Sequence, residues 1–106
     1  MLDLNIEFIK GVLFIRVIGD LINKTKNKFE KDINDLLDYS GITNVVINLE
    51  QLNMIDDDGI NALNDINNYL KQDNGNLIIC NLEGKYKNNN LYYSSNELTA
   101  LNTLCI

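Results

Sequence analysis

The sequence predicts an α/β fold: a mixed β-sheet with helices packed on it, in the order β-β-α-β-α-β-β-α. Three observations carry that expectation. Short runs rich in β-branched and aromatic residues alternate with longer stretches whose apolar residues recur at helical spacing. The middle strand, Val45-Val46-Ile47-Asn48-Leu49, is nearly continuously apolar, as a strand covered on both faces must be. Turn signals such as Lys10-Gly11 and Asp73-Asn74-Gly75 punctuate the pattern, with no internal repeat and no long linker, so residues 1–106 are expected to form a single domain.

Each element follows in order. Ile6 and Phe8 alternate with Asn5 and Glu7, a half-buried strand. Val12-Leu13-Phe14-Ile15-Arg16-Val17-Ile18 is a second strand, and the two are expected to pair as a hairpin. Gly19-Asp20-Leu21-Ile22-Asn23 breaks that pattern. Phe29, Ile33, Leu36 and Leu37 then share one face of a helix, and Gly41 ends it as a C-terminal cap. Beyond the central strand, Asp56-Asp57-Asp58-Gly59 leads into a second helix whose inner stripe is Ile60, Leu63, Ile66 and Leu70, with the polar Asn67 set among them. Asn76-Leu77-Ile78-Ile79-Cys80 is a further strand, residues 85–90 a polar loop, and Leu91-Tyr92-Tyr93 a short last strand. Ser95 or Asn96 starts a final helix through Leu98, Leu101 and Leu104.

Composition narrows the function. A net charge of −6 and a pI near 4.4 leave no basic footprint for nucleic acid and repel an anionic membrane surface. No apolar run approaches the roughly 20 residues that span a bilayer, and the acidic, alternating N-terminal stretch does not read as a signal peptide. A cytoplasmic protein is expected. The absence of histidine removes imidazole from both catalysis and metal ligation. Cys80 lies in an apolar run and reads as a small core hydrophobe, while Cys105 adjoins the C-terminal residue. Two such cysteines make no zinc site, and no disulfide is expected in a reducing cytosol.

The stretch Asn48-Leu49-Glu50-Gln51-Leu52-Asn53-Met54-Ile55-Asp56-Asp57-Asp58-Gly59-Ile60-Asn61-Ala62-Leu63 is similar to the central signature of the STAS domains of anti-sigma factor antagonists. That signature is a strand ending in Asp or Asn and Leu, a hydrophobic pair, and then Asp-Ser-Ser/Thr-Gly-Leu opening a helix. Gly19-Asp20-Leu21 and Thr25 resemble the family's Gly-Glu-Leu stretch at the start of the first helix, and the element order matches over nearly the whole chain. The resemblance implies a STAS-like mixed sheet and a protein-binding switch rather than an enzyme, with no cofactor. Family members bind an anti-sigma factor, often a serine kinase of the histidine-kinase-like ATPase fold, and so free a sigma factor. Phosphorylation of the first motif serine ends binding, and a phosphatase restores it. Such a phosphate sits at a helix N-terminus, where the dipole favours an anion, and adds roughly −1.5 to −2 charge to the contact surface.

This sequence departs from the signature where the switch should be. Asp56 matches the family's aspartate, but Asp57 stands at the phosphorylated serine and Asp58 at the second hydroxyl residue. Three readings follow: Asp57 as a fixed, partial phosphate mimic that locks the domain off; a partner altered to accept the acid, so that binding escapes phosphate control; or an acidic cluster with no switch role. Helix capping is the plain alternative, since Asp is favoured at N-caps and first turns. Ile22 and Asn23 replace the acid that often follows Gly-Glu-Leu, and residues 83–90 form a short stretch where the family usually places a helix, leaving either a short helix or only a turn there.

The expected partner surface is therefore Asp56, Asp57, Asp58, Gly59 and Ile60 with the neighbouring Asp20, Asn23 and Thr25, and Gly59 is expected to permit close backbone approach. No catalytic or metal-ligating residue is assigned. The acids could hold Mg²⁺ or accept phosphate as in receiver domains, but a receiver's acids follow the first strand and these follow the third. The stronger rival is an accessory subunit of a membrane transport ATPase, as STAS-like proteins are in lipid transport, a role that needs no phosphorylation.

Overall fold

In a computed structural model, which describes residues 1–88 and 90–104, the chain builds a six-stranded sheet with three α-helices. Strands β1 (Leu2–Ile9) and β2 (Val12–Leu21) form the expected antiparallel hairpin. Its two-residue turn holds Lys10 and Gly11 both at positive φ, the backbone that matches the twist of the flanking strands. Helix α1 (Asn23–Ser40) follows and ends at Gly41, whose left-handed φ of 69° lets its N–H bond back to the Leu37 carbonyl at 2.9 Å. Then come β3 (Asn44–Asn48), β4 (Leu52–Ile55), α2 (Asp57–Lys71), β5 (Asn76–Cys80), a single 3-10 turn (Gly84–Tyr86), β6 (Tyr92–Ser94) and α3 (Glu97–Leu104).

The strands run β1-β2-β3-β5-β6 across the sheet, and β4 lies beside the far half of β2. Only β1 is antiparallel; β3, β4, β5 and β6 join through parallel ladders. β3 is central, as its apolar run requires.

Two features depart from the sequence pattern. β2 does not stop at Ile18 but continues to Leu21, because Gly19, Asp20 and Leu21 find backbone partners in β4, with a register shift between Gly19 and Asp20. β4 itself has no strand signature: Asn53 and Met54 are exposed, and only its pairing with β2 makes it a strand. Between residues 83 and 90 a single 3-10 turn stands, consistent with the shortness of that stretch.

Alternation along β2 divides the core. Leu13, Ile15 and Val17 face α1 and α2, joined by Phe29, Ile33 and Leu37 from α1, Leu63, Ile66 and Leu70 from α2, and Val45, Ile47, Leu77 and Ile79 from the parallel strands. Val12 and Phe14 face the other way with Val46, Ile78 and Cys80, and α3 covers them through Ala100, Leu101 and Leu104. Leu98 does not join this stripe; it is 68% exposed, since the inner position on α3 falls to Ala100. The α3 N-cap is Asn96, whose Oδ1 accepts from the Thr99 N–H at 2.8 Å. Burial pushes the Cys80 thiol up to about 11, that of an inert core residue. Cys105 lies outside the described residues.

Candidate functional site

The site forms where β2, β4 and α2 meet. Asp56 is the N-cap of α2: its Oδ1 accepts from the Gly59 N–H at 2.9 Å. Its Oδ2 accepts from the Asn23 N–H at 3.0 Å, so one carboxylate caps α2 and ties it to the first turn of α1. These donations, led by Gly59, hold the Asp56 carboxyl below its ordinary value and keep it ionised. Asp58 accepts from Asn23 Nδ2 at 3.1 Å. Asn23, which stands where the family often has an acid, thus donates to two aspartates, and an acid there would repel both.

Asp57 is different. It is the first residue of α2, exposed, and among the described residues no hydrogen bond or ion pair engages its side chain. Capping accounts for Asp56 and a cross-helix bond for Asp58, but neither accounts for Asp57. The helix dipole favours an anion at this position without requiring one.

Gly59 is buried, and a Cβ there would lie 2.1 Å from the Leu21 carbonyl oxygen and 2.9 Å from Ile55 Cγ1. The close approach is therefore to the end of β2, and it seats the α2 N-terminus against the sheet. Ile60 is half-buried against the core. Asp20 accepts from Asn53 Nδ2 at 3.0 Å, with the Met1 ammonium 3.7 Å from its other oxygen. Thr25 is spent on structure: its hydroxyl donates to the Asp20 carbonyl at 2.8 Å and accepts from the Ile22 N–H at 3.0 Å, fastening the start of α1. The structure thus brings all eight sequence-selected residues to one region, but only Asp57 presents an uncommitted polar side chain.

Pattern reading missed Met54. It is 55% exposed on β4, two residues before the cap, beside a groove of about 410 Å³ shared with Ile55, Leu82 and Tyr86. Its exposure depends on β4 forming, which the residue pattern does not show. The α3 face of the sheet holds a second polar cluster. Arg16 meets Glu97 through Nε at 2.8 Å and its NH2 nitrogen at 2.7 Å, Glu7 at 3.0 Å and Asn5 at 3.0 Å, and Asn48 Nδ2 donates to Glu97 at 2.7 Å. All three guanidinium nitrogens are engaged by the protein itself, and among the described residues no other cation lines the adjoining cavity of about 710 Å³. Among the described residues no three metal-ligating side chains converge, and no helix is long and apolar enough to cross a membrane.

Known proteins share this architecture. The anti-sigma factor antagonist SpoIIAA in its unphosphorylated form superposes with a TM-score of 0.75 at 16% identity, over 97% of this chain and 98% of that one. The Bacillus cell fate determinant SpoIIAA in the phosphorylated form gives 0.75 at 16%, over 96% and 99%. An anti-sigma factor antagonist from Mycobacterium paratuberculosis gives 0.83 at 16%, over 100% and 96%. At such identities the likeness is one of fold. The family profile described as STAS domain matches residues 3–89, which span both the hairpin and the Asp56–Gly59 turn, and the chain belongs to the STAS domain family.

Proposed function

We propose that this chain is a cytoplasmic regulatory module, a single unit over residues 1–106, which binds an anti-sigma factor of the histidine-kinase-like ATPase fold through the start of α2 and is not controlled by phosphorylation there. The observation that carries this reading is Asp57: an exposed carboxylate with no structural task, at the position where the family signature has its phosphorylated serine. Asp56, Asp58 and Asn23 hold the helix start in place, and Asp57 supplies the charge a partner meets. Its single negative charge and two oxygens make it a weaker anion than phosphate, which suits a partner that accepts an acid better than one that phosphate repels. No hydroxyl side chain lies in the turn itself, and the nearby Thr25 hydroxyl is engaged on both sides. SpoIIAA, similar in fold, occurs in an unphosphorylated and a phosphorylated form, which supports a family in which phosphorylation takes place.

The test is affinity capture from lysate of the source cell with wild type and Asp57→Ser side by side, with the retained proteins identified by mass spectrometry. A kinase-fold anti-sigma factor held by wild type, and held differently by Asp57→Ser, is the expected result. Retention by Asp57→Ser alone would make the aspartate a locked-off mimic. Retention of a membrane transport ATPase by both would replace sigma regulation with the transporter-subunit role.

A further inference from the structure

β1 is an edge strand of eight residues, and among the described residues no strand pairs with its outer side. An open edge offers backbone N–H and C=O groups to any strand that fits, and proteins commonly blunt it with short length, proline or charge. β1 is long and has no proline. Its acids, Asp3 and Glu7, register with Ile18 and Phe14 on the α3 face, where Glu7 lies 3.0 Å from Arg16. Its other face carries Leu4, Ile6 and Phe8, and Phe8 is 51% exposed. Beside Leu4 and Ile6 runs a groove of about 400 Å³, closed on the α1 side by Leu36 and by Tyr39, itself 92% exposed. Asp32 and Asp35 border the groove, but Lys28 and Lys31 pair with them at 2.8 and 2.7 Å. An apolar knob and an apolar hole thus lie on the same face of the same open edge.

We propose that β1 pairs antiparallel with β1 of a second copy of this chain, about a two-fold axis at Ile6. Charge selects the register. Centring the pair on Asn5 sets Asp3 opposite Glu7, and centring it on Glu7 sets that residue opposite itself; like charges directly opposite destabilise a strand pair. Centring on Leu4 leaves Phe8 unpaired. Centring on Ile6 sets Asn5 opposite Glu7, Asp3 opposite Ile9 and Leu4 opposite Phe8, with no like charges facing. On that register the Phe8 of each copy reaches the groove beside Leu4 of the other, a contact both give and both receive, as an isologous interface demands. The inference rests on the edge strand alone and not on Asp57. Two copies each of net charge −6 repel at long range, so the dimer tightens as salt is added.

Sedimentation velocity over about 5 to 500 μM tests this, a range suited to a small interface. Wild type is expected to pass from monomer to dimer, with the transition moving to lower concentration at higher salt. Asn5→Asp is the discriminating variant. Within one copy the new carboxylate meets the Arg16 that Asn5 already touches at 3.0 Å, so the fold is kept. Across the interface it faces Glu7 twice, and the dimer should weaken about tenfold. In a Cys105→Ser background, Ile6→Cys should cross-link to itself on mild oxidation and Asp3→Cys should not. A wild type that stays monomeric throughout overturns the proposal. So does a dimer that Asn5→Asp leaves unchanged at an unaltered thermal midpoint, or equal cross-linking by Asp3→Cys.

Discussion

On one face of the sheet, α1 and α2 close over Leu13, Ile15, Val45, Ile47, Leu77 and Ile79 with side chains that are themselves wholly or nearly buried. On the other, α3 offers Ala100 and the half-buried Leu101 and Leu104, and adds the Arg16–Glu97–Asn48 clasp. The first face is held by area: apolar burial is non-directional, and many residues share it. The second has too little area to hold a short helix by burial alone, so position is set by directional, charge-assisted hydrogen bonds. The clasp adds registry as well as stability, because Glu97 must meet Arg16 and Asn48 together. The contrast predicts that damage to the first face is large and global, and damage to the second smaller and local.

Phe29→Ala should separate the two most sharply. Phe29 is fully buried between α1 and the sheet, and its truncation should cost about 3 to 5 kcal/mol in denaturant unfolding, lost by the whole molecule at once. A cost below that of an ordinary surface change would mean that α1 is not integral to the core. Glu97→Ala should cost less, about 1 to 2 kcal/mol. Its effect should be confined: amide exchange in α3 should quicken while α1 and α2 keep their protection. Equal acceleration in α1 would show that the clasp supports the whole fold.

Acid should act as the same mutation does. The Arg16 hydrogen bond first, and the Asn48 bond and Arg16 charge after it, hold the Glu97 carboxyl below its ordinary 4.5. A carboxyl lowered in the folded state gives stability that is present above that ordinary value and is lost as pH falls through the folded one. Exchange of α3 amides should therefore rise below about pH 4.5 before global unfolding, and Glu97→Ala should abolish that phase.

Glu30→Gln tests whether the apolar face is as insensitive to pH as its composition suggests. Glu30 stands beside Asp65 at the seam of α1 and α2; burial first, and Asp65 after it, push its carboxyl up, and one of its oxygens is enclosed without a donor. For an acid raised in the folded state, stability is present while it is protonated and is lost as pH rises through the folded value. Glu30→Gln should remove that loss and raise stability at neutral pH by about 0.5 to 1 kcal/mol, read as a higher thermal midpoint. An unchanged midpoint would show that solvent already screens the pair.

Much of this was legible along the chain. The stripes Phe29-Ile33-Leu37 and Leu63-Ile66-Leu70 marked the helices that cover the larger face, and the apolar run at 45–49 marked the central strand. The Gly41 cap, the Asn96 cap and the Lys10-Gly11 turn followed from local backbone chemistry. Asp56 as a helix start was visible for the same reason. β4 was not visible, because its four residues show neither alternation nor an apolar run. Of the leucines that run through α3, Leu101 and Leu104 pack on the sheet while Leu98 stays exposed and the smaller Ala100 takes the inner position.

Sequence alone determined the three helices, every strand but β4, most of the core and the acidic turn that opens α2, because periodicity, capping and turn chemistry act over a few neighbours. Tertiary structure alone decided that Asp56 and Asp58 are tied to Asn23, thirty-three and thirty-five positions away, while Asp57 has no partner among the described residues. It also decided that Arg16 is clasped by Glu97, eighty-one positions away, and that β1 ends the sheet with no strand on its outer side among the described residues. Three adjacent aspartates look alike as a string of residues. What distinguishes them is which donors the folded chain brings within 3 Å or so, and long-range contacts of that kind leave no period in the sequence.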